Sequence, residues 1–361
     1  MFYKRSTLDG GRMLSRLTDI AVGRRTRVRW FSSWCDELDT ALGCLPEMET
    51  CPHALFRALM LNPTASRKIA AIVSEDDRPI ALFGLRRRNR HWEPVAELSV
   101  PNALAPALPG RLFDALAALR TYVRIPDWGH PIPHSAHVRE LEFFPTYRVS
   151  TDTDFDALWR ELRNTDRVRK ARNRCGRLGE IEFEIDHPDA AAWTIGNWGG
   201  KWSRPYSDIS AAAADMQVAA AYLTPRGEYH AFRLLHRGIP VAGTNWFAHG
   251  DTLTAHCSHR DPAYDGRGVG VRLDELFFRW SATSPYRVID LGGEFDYKAK
   301  WAREGGVHAN FSVMPAHLAL AKSGLTVARR LARVASAAAA IHRPREQIER
   351  STTFVSPELP V

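Results

Sequence analysis

Glycines alternate with other residues at Gly266-Arg267-Gly268-Val269-Gly270, between an apolar run that reads as a strand and a segment of helical periodicity. At such a junction glycines let main-chain N–H groups approach an anion without a Cβ in the way, and the helix N-terminus adds partial positive charge. Arg267 can supply a charge-assisted contact to the same anion, with Arg272 about one turn further on. The chemistry favoured is the holding of a phosphate or pyrophosphate; a tight turn is the bland use of the same glycines.

Spacing separates the phosphate-binding patterns. A Walker loop needs a terminal Gly-Lys-Ser/Thr, which is absent. A dinucleotide fingerprint would place its ribose-binding acid at Asp290, which ends Val288-Ile289-Asp290, but that motif opens a doubly wound sheet. The foldable chain left after Gly270, about forty-five residues, is too short for one. No Gly-x-Ser-x-Gly elbow and no Cys/His nucleophile pattern suggests a covalent enzyme. The cysteines at 35, 44, 51, 175 and 257 form no Cys-x-x-Cys pair, and His130, His134 and His137 match no zinc spacing, so no metal is expected.

Trp193, Trp198, Trp202 and Trp246 are dense for one region, and Trp198-Gly-Gly-Lys201-Trp202 offers a stacking platform for a sugar or nucleotide acceptor; core packing is the competing use. Arg163, Arg167, Arg169, Lys170, Arg172, Arg174 and Arg177 crowd together as a solvated helix face, or as a contact for an acidic acceptor or tRNA.

The elements that must position these residues read as a duplication. Ile69–Val73, a charged turn and Arg78–Gly84 form a hairpin whose pattern returns at His230–Leu235 and Gly238–Gly243, with Pro79 and Pro240 in the same place. In the second half a strand over Thr252–Ser258 leads to the glycine loop and to a helix with Val269, Leu273, Leu276, Phe277 and Trp280 on one face. Beyond it come a strand at Val288–Leu291, a short helix at Tyr297–Arg303 and a strand at Val307–Val313. In the first half Pro101, Pro106 and Pro109 stand in the loop that should match the glycine loop, and proline removes N–H donors. A helix capped within Thr151–Asp154 and carrying Phe155, Leu158, Trp159 and Leu162 starts the second half and runs on towards Gly176 or Gly179.

The expected division is a flexible start over 1–24, domains over 25–152 and 153–315, and a tail over 316–361 containing a basic amphipathic helix. Its 361 residues, 45% apolar and 25% charged, exclude disorder as a whole-chain state. No apolar window spans a membrane and no secretory h-region is present, so a cytoplasmic protein is expected. The net charge of +8 and the tail's Lys322, Arg329, Arg330 and Arg333 suit a peripheral contact with an anionic membrane.

The order of elements, with Arg169-Lys170-Ala171-Arg172, Asp261-Pro262-Ala263-Tyr264 and Ile289-Asp290-Leu-Gly-Gly-Glu-Phe-Asp-Tyr297-Lys298, resembles the GNAT superfamily. Within it the likeness is to double-GNAT acyltransferases of the BioF2-like and CelD (BcsL)-like type, cousins of the FemAB aminoacyl transferases. That resemblance implies an α/β fold of two tandem GNAT-like domains, with mixed, mostly antiparallel sheets flanked by helices. It implies acetyl-CoA or another acyl-CoA as co-substrate, held by Cys257, Ser258 and Gly266 to Gly270. The acceptor it implies is a small molecule or glycan precursor, an amine or hydroxyl on a sugar-like or cell-envelope (exopolysaccharide) compound. Two departures stand out: Asp265 falls where the superfamily loop has Gln or Arg, and Ala302 falls where many members carry a tyrosine acid.

Acyl transfer to an amine of pKa ~10.4 faces a neutral fraction of roughly 1 in 2,500 at pH 7, equivalent to about 4.6 kcal/mol, so a positioned base is worthwhile. Asp290 leads, followed by Glu294 and by His256 on the preceding strand. Tyr297 is the expected stand-in for the missing tyrosine, and Lys298 a point charge for a phosphate or leaving thiolate. Lys201, Trp202 and Trp246 are expected at the acceptor. The rival functions are aminoacyl transfer from tRNA, as in the FemAB cousins, and a degenerate, non-catalytic binding protein.

Overall fold

The two hairpins of the duplication are equivalent residue for residue. Strand β3 (Lys68–Glu75) pairs with β4 (Arg78–Arg88), and β9 (Tyr229–His236) pairs with β10 (Ile239–His249). Ser74 faces Pro79 and Val73 faces Ala81, so Ile80 is an inserted bulge residue; Leu235 faces Pro240 and Leu234 faces Ala242, making Val241 the same insertion 161 positions later. The offset persists into the third strands, β5 (His91–Pro94) and β11 (Thr252–Arg260): Arg86 faces Glu93 as Phe247 faces Thr254.

A computed structural model describes residues 16–21, 26–45, 53–63, 67–88, 91–95, 116, 122–128, 132, 137–203, 209–293 and 295–315. The further strands are β1 (Arg16–Ala21), β2 (Thr26–Phe31), β6 (Val123–Trp128), β7 (Val138–Ser150), β8 (Ile181–Ile185), β12 (Val288–Asp290) and β13 (Arg303–Val313). The helices are α1 (Asp36–Gly43), α2 (His53–Leu61), α3 (Phe155–Glu161), α4 (Thr165–Gly176), α5 (Ala190–Ser203), α6 (Ile209–Leu223) and α7 (Val269–Ser281). The strands form one mixed sheet in the order β1-β2-β3-β4-β5-β6-β13-β7-β12-β11-β10-β9-β8.

That order contains an exchange. β5–β6 and β11–β12 are the parallel pairs of the two halves, and each is followed in sequence by a long strand. Yet β7, which follows β6, pairs with β12, while β13, which follows β12, pairs with β6; β7 and β13 then pair with each other at the centre. A cut near residue 152 therefore separates segments of chain but not sheets.

Three apolar clusters hold the layers. α1, α2, α5 and α6 cover one face, where Leu38, Phe56 and Ile72 of the first half meet Met216, Tyr229 and Phe247 of the second. α3, α4 and α7 cover the other face of the second half around Trp159, Phe277 and Trp301. On the first half's other face, Trp30, Phe83 and Trp92 pack with Phe311 and Val313 from the exchanged β13.

Three details depart from expectation. Residues 16–21 of the segment expected to be flexible form a paired strand. The helix after Asp154, whose carboxylate accepts from the N–H groups of Asp156 and Ala157, stops at Glu161, and Arg163 takes φ 53° before α4 begins. The expected helix at Tyr297–Arg303 is a 3-10 turn over Asp296–Lys300. The proline-containing loop of the first half and the basic tail helix lie outside the described residues. Among the described residues no helix is long and apolar enough to cross a membrane.

Candidate active site

β11 and β12 run parallel for three residues only, Thr252–Thr254 against Val288–Asp290, after which β12 ends and β11 continues to Arg260 paired with β10 alone. Parallel neighbours that part at their carboxyl ends leave a crevice of the kind in which α/β proteins place ligands. Leu253, Ile289 and Leu291 point into the core beneath α7, so by strand alternation Thr254 and Asp290 face the side of α5 and α6.

Asp290 closes the mouth of this crevice. It is 5% exposed; its Oδ1 accepts from the Gly292 N–H at 2.7 Å, and its Oδ2 accepts from Arg148 Nε at 2.6 Å. Arg148 lies on β7, the strand exchanged from the first half, directly opposite Asp290 in the register. Beyond the turn, Lys298 Nζ donates to the Gly293 carbonyl at 2.7 Å, bracing the loop that leaves β12.

His256 owes its orientation to a bulge. Asn245 faces Cys257 and Trp246 faces Ala255, which leaves His256 as the inserted residue of β11. Its Nδ1 lies 2.8 Å from the hydroxyl of fully buried Tyr229, and its ring lies 4.4 Å from that of Phe247. Burial lowers its pKa to about 3, so it is a neutral imidazole at physiological pH. When Nδ1–H donates to Tyr229, Nε2 carries a free lone pair. Cys257 is buried among apolar side chains, and burial raises its thiol to about 12; it has no nucleophilic character and can offer a ligand only its main chain. Ser258 is exposed one residue on.

The glycine loop lies at the carboxyl end of β11. Asp261 caps a 3-10 turn over Pro262–Tyr264, and the chain then passes Gly266 at φ 77° and Gly268 at φ 80° into α7. Gly268 is required twice over, by its left-handed conformation and because a Cβ there would lie 2.8 Å from Ala171 Cα on α4. The first N–H groups of α7 have no intrahelical acceptors. Val269 itself is buried, so it contributes only backbone, whereas Gly270 has ordinary helical φ and room for a Cβ. Asp265 is occupied by Arg260 at 2.8 Å.

The arginine-rich helix α4 is more than a solvated face. Arg172 and Arg272 converge on the fully buried Glu275 carboxylate and pin α4 to α7; burial would raise that carboxyl, but the arginine hydrogen bonds bring it below its ordinary value. Arg174 Nη1 reaches the Gly266 carbonyl at 3.4 Å.

On the α7 side of the crevice the half-exposed Tyr297 is raised to about 12, by loss of water and by the Asp274 carboxylate, against Arg167; it stays a proton donor at neutral pH. Asp274, raised by burial to about 7, was not singled out in the sequence because a lone acid on an amphipathic helix reads as solvated. Arg148 and Tyr229 carried no local signal either.

Trp246 is a correction: it is 3% exposed and stacked on Phe277 with ring centroids 3.9 Å apart, so it belongs to the core under α7 and cannot meet an acceptor. Lys201 and Trp202 fall in the last turn of α5, their side chains outside the described residues, as is Glu294. Ala302 is buried, so no acid stands at that position.

Residues 160–299 match the acetyltransferase (GNAT) domain family. No curated protein matches the chain. Among solved structures, the chain is similar to a tandem GNAT protein from the clavulanic acid biosynthesis pathway (11% identity over 79% of this chain and 98% of that one, TM-score 0.44). It is also similar to the C-terminal domain of a putative lysylphosphatidylglycerol synthetase from Agrobacterium fabrum (13%, 80% and 97%, TM-score 0.46). A third similar structure is FemX (12%, 78% and 96%, TM-score 0.39). The glycine loop, the parting strands and Asp290 all fall inside the range that matches the acetyltransferase (GNAT) domain family.

Proposed function

We propose that the protein moves an acyl group from acyl-CoA to an amine or hydroxyl of a sugar-like or cell-envelope precursor, as a double-GNAT acyltransferase of the BioF2-like or CelD-like type. The observation that carries this reading is the parting of β11 and β12 between Asp290 and the glycine loop, inside the family-matched range. The backbone N–H groups at the start of α7 hold the pyrophosphate of the donor, with Arg267 beside them. The thioester reaches the crevice from the α7 side and the acceptor from the side of α5 and α6.

The acceptor nitrogen or oxygen attacks the thioester carbonyl, a C–N or C–O bond forms, and the C–S bond breaks. The proton leaves the acceptor for Asp290, with the neutral His256 imidazole on the same face as the other available base. The departing thiolate takes a proton from Tyr297, on the donor side, while Lys298 lies beside the same loop as a cation. The inert Cys257 fits direct transfer without a covalent enzyme intermediate.

Thermal unfolding with and without acetyl-CoA tests the donor. Ligand at ~100 times its Kd adds about 2.7 kcal/mol, a shift of several degrees. Gly270→Asp suits the first turn of a helix but repels a pyrophosphate, so it should keep the unliganded midpoint and lose the shift. Asp290→Asn should keep the shift and lower turnover by about 10²–10⁴-fold. A Gly270→Asp protein that still responds to acetyl-CoA would remove the loop from donor binding. Tighter, salt-sensitive binding of aminoacyl-tRNA than of acetyl-CoA would move the reading to the FemAB type, for which Asp265 in the loop and the exposed basic residues of α4 speak.

A further inference from the structure

We propose that Arg148 is the receptor for an anionic group, a carboxylate or a phosphate, on the acceptor molecule. The proposal rests on the acyl-transfer reading of the same crevice. Arg148 is bound by one edge only: its Nε donates to Asp290 Oδ2, and Asp290 is itself fixed by the Gly292 N–H. Among the described residues neither Nη atom has a hydrogen-bond partner, and 47% of the side chain is exposed. Four of the five guanidinium N–H groups are thus unspent, on a fork held by a buried carboxylate. A fork pinned at one edge and open at the other is the geometry that takes two oxygens of a carboxylate or phosphate.

The placement suits an acceptor and not the donor. Tyr147 and Val149 point into the α7-side core, so Arg148 faces the side of α5 and α6, away from the glycine loop. Space for its stem is built into the neighbouring strand: a Cβ on Gly305 would lie 2.6 Å from Arg148 Cβ and 3.1 Å from its Cδ, and glycine there lets β13 pass. An anionic acceptor gripped here would present its amine or hydroxyl beside Asp290.

The test is titration calorimetry of the full chain with three amino-sugar probes: D-glucosamine, D-glucosamine 6-phosphate and 2-amino-2-deoxy-D-gluconate. At least one anionic probe should bind about tenfold or more tightly than glucosamine, the size of a charge-assisted hydrogen bond, and which one does so separates phosphate from carboxylate. Arg148→Gln should bring the probes to parity, and Arg148→Lys should keep part of the preference. Because Arg148→Gln strands a buried carboxylate, the double variant Arg148→Gln/Asp290→Asn should recover the unfolding midpoint while parity persists. Asp290→Asn alone should keep the anion preference though acyl transfer falls. Parity in the unaltered protein, or an equal loss for all three probes in Arg148→Gln, overturns the proposal. Loss of the acetyl-CoA shift with the anion preference intact would instead sink the donor reading and leave this site standing.

Discussion

The two halves share one corner of the sheet, residue for residue, and fill it differently. In the second half Tyr229, Phe247 and His256 meet there, aromatic around a neutral imidazole, beside strands that part. At the offset of 161, the first half has Lys68, Arg86 and Val95 in those places, with Glu93 where the second half has Thr254. Lys68 Nζ donates to Asp215 Oδ1 at 2.7 Å and Arg86 Nη1 to its Oδ2 at 3.4 Å, while Arg86 Nε donates to Glu93 Oε1 at 2.9 Å. Asp215 comes from α6, so the second half's own helix seals the first half's corner with buried charge. One frame is thus filled in two ways: buried ion pairs close the first half's corner, and an aromatic cluster around His256 fills the second half's.

Breaking the closure should have the largest effect on stability. Asp215→Ala leaves Lys68 buried without a carboxylate and Arg86 with Glu93 alone, and should cost about 3–5 kcal/mol in urea unfolding, without abolishing the acetyl-CoA response of whatever remains folded. A loss under about 1 kcal/mol would mean that the corner is wet and the contrast between the halves is false.

Acid should tell the two corners apart. Burial would raise the Glu93 carboxyl, but His91, Arg86 and Arg88 bring it down to about 2 from 4.5, so its contribution is present above pH 4.5 and is lost as pH falls towards 2. His256, lowered from 6.5 to about 3, gives up its contribution earlier, as pH falls from 6.5 towards 3, where the unfolded chain takes a proton that the fold refuses. Glu93→Gln should flatten the lower part of the stability–pH curve and His256→Phe the upper part. A curve unchanged by either substitution would refute these assignments. The smallest effect is expected at Asp265→Asn, which breaks an exposed pair worth about 0–1 kcal/mol of stability; calorimetry should find a severalfold gain in acetyl-CoA affinity as a negative charge leaves the loop.

Local patterns carried a good part of this into the sequence. The hairpins, the Asp154 cap, the face of α7 and the glycine loop each follow from residues within a turn or two of one another, and all are found where periodicity and capping put them. Asp290 was visible as a strand-end acid, but its partner Arg148 lies 142 residues away and emerges only from the strand exchange. Trp246 misled because tryptophan density looks the same whether the ring stacks on a ligand or, as here, on Phe277. His256 was a strand residue in the sequence; the bulge that turns it beside Tyr229 is a property of register between β10 and β11, which no single segment encodes.

The exchange of β7 and β13 also sets a timetable for synthesis. When the ribosome has finished Ser150, β6 has no strand on its far side and β7 has neither neighbour, because β12 and β13 have yet to be made. Both central seams wait for the last strand, at Arg303–Val313. Vectorial folding, in which an early domain matures before the next emerges, is thereby denied to this chain. A nascent polypeptide halted at residue 152 should stay protease-sensitive on the ribosome, and one extended past residue 313 and clear of the exit tunnel should become resistant in a single late step.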